Sequence, residues 1–308
     1  MEIRELPPAL KKLAERELNE DEKQLEKDVH YVTEWLGKQP HICARIDQQW
    51  LVGFLRGCKH SLERTKEKLE TYHTIRTHLP EMFTGRDPAD PKIQEILDLG
   101  SYLPLPTTET PESPRIVLVR GAIFDPSKYT FLEMARVYFM IMDLLVLGDD
   151  RLGVAGQDTL LDLTGSTLEH TSLYTPAIVK KVLTCFQDAY PIRSKTMHYI
   201  NTPVTFDMIY SIFKMFMKEK LKKRVMIHAD MESLFKYLPR KVLPSDYGGE
   251  GPSIATLTAE WKQKVIDNRE WFLEDEKYRV DESKRQGKSV SGFDLFGVDG
   301  SFKQLNID

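Results

Sequence analysis

The chain has 308 residues, room for roughly two domains of about 150 each. With 41% hydrophobic and 29% charged side chains, its composition excludes collagen-like, low-complexity and disulfide-dense classes. Its 43 basic and 47 acidic residues leave a net charge of −4, which excludes nucleic-acid binding through overall charge.

Cys43, Cys58 and Cys185 are too few and too scattered for a disulfide framework and fit a reducing compartment. The polar, acidic first residues lack the basic start and apolar block of a secretion signal. No apolar run nears the ~18 residues of a membrane span, since the longest is interrupted by Asp143. The expected location is cytoplasmic, with peripheral and reversible contact at intracellular membranes.

From 7 to 79 the pattern is helical. Leu10, Leu13, Leu18, Leu25, Val29, Val32 and Leu36 recur mostly at three-, four- and seven-residue steps among charged residues, which predicts a polar-faced helical bundle. Pro88, Pro91, Pro104, Pro106, Pro111 and Pro114 then punctuate a connector with one short helix near 91–99. Their irregular spacing fits a spacer better than a proline-recognition ligand.

After 114 the rhythm becomes strand, helix, strand. Strands are predicted at 115–121, 156–165, 195–201 and 224–230, with helices at 129–148, 175–190 and 206–221, and a strand-ending segment at 243–249. Such βαβ succession predicts an α/β fold with a mainly parallel sheet flanked by helices, behind a helical N-terminal module.

No GxGxxG, P-loop, nucleophile elbow or HExxH is present. Gly248, Gly249 and Gly251 suit a turn better than a phosphate cradle. His198 and His228 fall on predicted strands, where they either converge on a metal or proton path or sit as hydrogen-bonded core residues. Asp158 and Asp162 share a strand face, as a carboxylate pair or as turn caps. The missing motifs favour binding over catalysis, with no cofactor and no metal.

The window 203–224 is the most informative. Met208, Ile209, Ile212, Phe213, Met215, Phe216 and Met217 give its helix an apolar arc wider than one packed face requires. Between 214 and 224 there are six basic residues against the single acid Glu219. Helix-dipole capping accounts for two or three of them; the rest suggest docking on an anionic membrane surface. Arg193 and Lys195 add cations suited to a phosphorylated headgroup. Beneath a helix free to swing outward, Phe139, Val146, Leu147, Val182, Phe186 and Met197 could line a cavity. Asp143, costly to bury unpaired, either ion-pairs, with Arg136 as a candidate, or accepts a hydrogen bond from a ligand.

These segments, QDAYP, the IN-P-F element, the basic KR and LP-YGG together, resemble the CRAL-TRIO lipid-binding family, in the branch of tocopherol-transfer, retinaldehyde-binding and clavesin proteins. WLVGFLRG resembles its helical N-terminal module, and the tail from 270 onward resembles an arthropod subgroup. The resemblance implies a helical module over 1–90, a lipid-binding domain over 91–252 and a C-terminal helix and extended tail over 253–308. It also implies a hydrophobic cavity closed by a gate helix at about 203–220. Matched pocket positions are Phe139, Asp143, Ser166, Leu168, Tyr174, Val182, Phe186, Tyr190, Ile192, Ser194, Met197 and, on the gate helix, Phe213. Arg193, Lys195, Lys220 and Arg224 match a phosphoinositide cleft.

The implied function is a non-enzymatic cytosolic carrier of a small lipophilic ligand (a retinoid, tocopherol, carotenoid or related lipid), released at membranes containing phosphatidylinositol phosphates. A phosphoinositide sensor or adaptor for a partner protein is the alternative. A hydrolase or isomerase using Asp143 or His198 is a third. Ser166 stands where tocopherol transfer protein has an aromatic, and Asp143 replaces a small hydroxyl residue; both departures count against tocopherol itself. FLRGC also leaves Arg56 without the second arginine common in the family.

Overall fold

The computed structural model describes residues 3–297. The N-terminal helices are α1 (Pro8–Leu18), α2 (Glu22–Gly37), α3 (Gln48–Gly57), α4 (Leu62–His78), α5 (Pro80–Phe83) and α6 (Pro91–Asp98). Strands β1 (Tyr102–Pro104) and β2 (Arg115–Arg120) follow, then α7 (Phe131–Gly148), α8 (Asp150–Ala155) and β3 (Gln157–Asp162). Next come α9 (Leu168–Leu173), α10 (Pro176–Thr184), β4 (Ser194–Ile200), α11 (Phe206–Phe216), α12 (Glu219–Lys222), β5 (Val225–Ile227) and α13 (Met231–Phe235). The chain ends on α14 (Ile254–Asp267), α15 (Arg269–Asp275) and α16 (Gly292–Phe296). Positions 298–308 of the expected tail lie outside the described residues.

Local chemistry sets several of these boundaries. Pro8 opens α1 and Asn19 closes it in the left-handed region, so the 8–36 pattern becomes two helices. Thr130 and Glu133 form a reciprocal capping box that starts α7. Thr175 caps α10, which does not run on to 190 as one α-helix: Cys185–Ala189 form a π-turn. The expected strand end at 243–249 is instead a 3₁₀ turn at Ser245–Tyr247, closed by Gly248 at φ +69°.

The sheet order is β1-β2-β3-β4-β5, with β1 antiparallel to β2 and the other pairings parallel. Side chains alternate between faces. Ile116, Leu118, Leu160 and Ile200 pack with Leu234, Leu238, Val242 and Leu257 in one core. Val119, Thr159, Leu161, Met197 and Tyr199 face a cavity under α7, α10 and α11. Where β3 meets β4 the register shifts, with Gln157 opposite Ser194 and Asp158 opposite Thr196, so Lys195 is the extra residue of a bulge.

One large core joins Leu51, Phe54 and Tyr72 of the N-terminal helices to α7 and to Val265, Phe272 and Val280 near the C-terminus. A buried charge network lies inside it. The Asp143 carboxylate accepts from Tyr190 Oη at 2.8 Å, Tyr72 Oη at 3.3 Å, Arg76 Nη1 at 3.3 Å and Arg86 Nη2. Arg76 and Arg86 also reach Asp275, the latter at 3.0 Å. Asp143 therefore ion-pairs, but not with Arg136, which donates to the Glu81 carbonyl at 2.8 Å.

Removing one carboxylate from such a network leaves buried guanidinium charge uncompensated, at a cost of about 3–5 kcal/mol. Asp143→Ala is expected to lower the unfolding free energy from urea titration by that amount; a loss below about 1 kcal/mol would exclude the clasp.

Candidate lipid pocket and basic cleft

The cavity of about 200 Å³ lies between the sheet and helices α7, α10 and α11. Of the sequence-predicted positions, Ser166, Tyr174, Val182, Phe186, Met197 and Phe213 line it. The structure places the others elsewhere. Phe139 is fully buried and stacks on Tyr190 with ring centroids 5.0 Å apart; Tyr190 and Asp143 belong to the charge network. Leu168 is 71% exposed on α9. Ile192 packs against the large core, as do Val146 and Leu147, and Ser194 is buried at the start of β4.

The helix period explains the shift on α7. Phe131, Met134, Ala135 and Tyr138 form its cavity face at three- and four-residue steps, whereas Phe139 lies at the flank of that stripe and turns toward Tyr190. The same signal would have found them in the sequence. Thr159, Leu161 and Tyr199 were likewise readable from strand alternation once the covered face was known. Tyr102, on the three-residue strand β1, and Phe124, in the loop before α7, carry no such periodicity.

Helix α11 is shorter than the expected gate and ends at Phe216, because Met217 and Lys218 turn to extended backbone before α12. Phe206, Ile209, Tyr210 and Phe213 face the cavity. Met208 and Met215, seven residues apart and thus on one face, are 51% and 64% exposed. Gln187, on the π-turn, holds the end of this helix: its Nε2 donates to Phe216 O at 3.0 Å, and its Oε1 accepts from Lys218 N at 2.8 Å.

The basic residues of 214–224 are not one cluster. Lys218 pairs with Asp188, and Lys222 with Glu219 at 2.7 Å. Lys220 and Arg224 have no ion-pair partner among the described residues. The charge of Arg224, then burial, then Lys59, Arg193 and Arg64 depress the Lys220 pKa. Arg193 and Lys195 are brought to the same point through Glu17 of α1, which accepts from both at 2.9 Å. Lys195 and Arg193 hold the Glu17 carboxyl below its ordinary pKa. Arg56 finds carboxylates in place of a neighbouring arginine: it is bidentate on Glu20 at 2.9 Å and reaches Asp150 at 2.9 Å.

The histidine and aspartate candidates have other partners. His198 Nδ1 and His228 Nε2 are 2.9 Å apart, on the sheet face away from the cavity. Asp158 accepts from Thr196, while Asp162 accepts from Thr164, Asn201 and Tyr247, so they are not a working pair. No group of three or more metal-ligating side chains occurs among the described residues, and none of their helices is long and apolar enough to cross a membrane.

An apolar cavity between a parallel sheet and its crossover helices defines a lipid-binding α/β domain. The chain belongs to the CRAL/TRIO domain family. The CRAL/TRIO domain matches residues 104–249, and the Pinta-like, UBA domain matches residues 21–93. The chain is 31% identical over 264 residues to alpha-tocopherol transfer protein-like of Homo sapiens, covering 85% of this chain and 75% of that protein. It is 27% identical over 287 residues to clavesin-2 of Homo sapiens, covering 92% and 86%. The crystal structure of Sfh5 shares the fold, with a TM-score of 0.51 and 12% identity over 88% of this chain and 100% of that one.

Burial pushes the imidazoles of His73 and His198 down to about 4, against an ordinary 6.5, with neighbouring charge adding to the effect. Both rings fold uncharged and bind a proton more readily when unfolded. Their stabilising contribution is intact above about 6.5 and is lost as pH falls toward 4. Thermal unfolding between pH 7.5 and 4.5 is expected to show this slope, reduced in His198→Gln; an unchanged slope in that variant would contradict the assignment.

Proposed function

We propose that this chain is a non-enzymatic carrier, cytoplasmic and peripheral at membranes. It shelters a small hydrophobic ligand of retinoid, carotenoid or related type behind α11 and delivers it at phosphoinositide-containing bilayers. The observation that carries this reading is the two-sided apolar character of α11, one face on the cavity and the other on solvent. Water disfavours swinging such a helix outward, and an acyl boundary favours it, so a membrane shifts the population toward the open state. The cavity, at about 200 Å³, is below the 300–1,000 Å³ usual for ligand sites, which supports loading by that movement.

The cleft of Arg193, Lys195, Lys220 and Arg224 supports recognition of a phosphorylated headgroup beside the gate. Glu17 occupies part of it, and an incoming phosphate has to displace that carboxylate. Asp143 is fully engaged away from the cavity, which argues against lipid turnover through it. We assign the helical module to 1–90, the lipid-binding domain to 91–252 and the tail to 253–308, as units that share a core. The small closed cavity also favours a second reading, a phosphoinositide sensor or adaptor for a partner protein.

Organic extraction and vesicle-to-vesicle transfer assays test the carrier. Lys220→Glu with Arg224→Glu is expected to abolish binding to phosphoinositide vesicles, and Glu17→Gln to strengthen it severalfold. Narrowing the cavity with Met197→Trp separates the readings: a carrier loses ligand uptake and function, whereas a sensor keeps function. Consistent recovery of empty protein, with no saturable uptake from a lipophile panel, would overturn the carrier.

The Gln187 clamp gives a further test. Gln187→Ala frees the end of α11 and is expected to raise the rate of ligand loss to neutral vesicles severalfold, measured by stopped-flow fluorescence. An unchanged rate would mean that the clamp does not restrain the gate.

A further inference from the structure

We infer that the cavity selects a lipophile carrying a hydroxyl or carbonyl oxygen, and that Thr159, set by Gln157, is the group that reads it. The inference rests on the carrier reading and names the ligand class for the same cavity. Gln157 and Thr159 stand two residues apart on β3 and share a face. The Gln157 side chain has no solvent exposure, and its Nε2 donates to Thr159 Oγ1 at 3.0 Å. Thr159 is 5% exposed and lines the cavity.

A threonine hydroxyl has one proton and two lone pairs. With one lone pair taken by the amide, the proton remains to be donated, and no acceptor among the described residues takes it. The sheet neighbours of Thr159 are Val117 and Met197, which offer no side-chain oxygen. Gln157 Oε1 and Ser194 Oγ, opposite each other in the β3–β4 register, are buried without partners among the described residues. Polar groups in such surroundings are costly unless satisfied. The cavity wall therefore holds a buried hydrogen-bonding spot with unused capacity.

The pair adapts to either oxygen function. As drawn, Thr159 donates to a carbonyl or hydroxyl oxygen of the ligand. If the Gln157 amide turns over, Thr159 donates to Oε1 and a lone pair accepts from a ligand hydroxyl. A hydrocarbon of the same shape leaves the Thr159 proton without an acceptor in the first case, and a Thr159 lone pair and the turned Gln157 Nε2 without partners in the second. Sites built to hydrogen-bond a ligand reject the analogue lacking that group. The expected preference is about tenfold or more, since each factor of ten needs only one such bond.

The test uses the full chain stripped of lipid and titrated by fluorescence with retinol, retinal and axerophthene, the hydrocarbon with the same ring and polyene. The expected result is at least about tenfold tighter binding of retinol and retinal than of axerophthene. Thr159→Val should remove that preference while axerophthene binding persists, and Thr159→Ser should restore it. The retained hydrocarbon binding reports that Thr159→Val is folded. Equal binding of all three by the parent chain, or an unchanged preference in Thr159→Val, would overturn the inference and leave the carrier reading standing. No saturable uptake of any of them, nor of matched fatty alcohol and alkane pairs, would overturn both.

Discussion

Four buried charges hold the molecule's three regions in one arrangement. Arg76 comes from the N-terminal helices and Arg86 from the loop after α5. Asp143 lies on the long helix over the sheet, and Asp275 at the end of the C-terminal helix pair. Burying an isolated charge is prohibitive, so each guanidinium demands both carboxylates and each carboxylate both guanidiniums. Tyr72 and Tyr190 complete the hydrogen bonding of Asp143, and their rings meet edge to face, 5.4 Å apart. None of the clasp residues lines the cavity.

The cavity walls are differently made. The side of the cavity opposite α11 is sheet and α7, and Met134 and Ala135 of α7 belong to the large core. Helix α11 has only Phe206 buried. It is retained by apolar side chains against α10 and β4 and by the Gln187 clamp at its end. Segments with few buried contacts open at low free-energy cost, which suits a gate. The basic cleft lies immediately beyond, where α12 leads into β5. Glu17 reaches it from α1, whose apolar face packs with Val154 and Ala155 in a small separate core, so the basic cleft and the N-terminal helix are physically linked.

The route by which β3 and β4 present side chains also matters. The bulge at Lys195 lets Arg193 and Lys195 converge on a single carboxylate while Met197 and Tyr199 still face the cavity. One strand thereby contributes to both the basic cleft and the cavity wall.

Much of this was legible in the sequence. Period-2 and period-3.6 patterns marked the parallel sheet and its helices, because burial of one face constrains which positions are apolar. The cation excess near 214–224 and the apolar excess of α11 were visible as composition alone. Six pocket positions carried over by resemblance do face the cavity: Ser166, Tyr174, Val182, Phe186, Met197 and Phe213. Only the tertiary structure decided the rest. Whether Asp143 meets a ligand or an arginine depends on Arg76, Arg86 and Asp275, residues 57 to 132 positions away in the chain. Phe139 and Tyr190 are apolar-compatible at either place, so local pattern cannot tell core from cavity wall. The pairing of Glu17 with Arg193 and Lys195, across more than 170 residues, has no local trace either, because a charge on a helix surface reads the same until another segment folds against it.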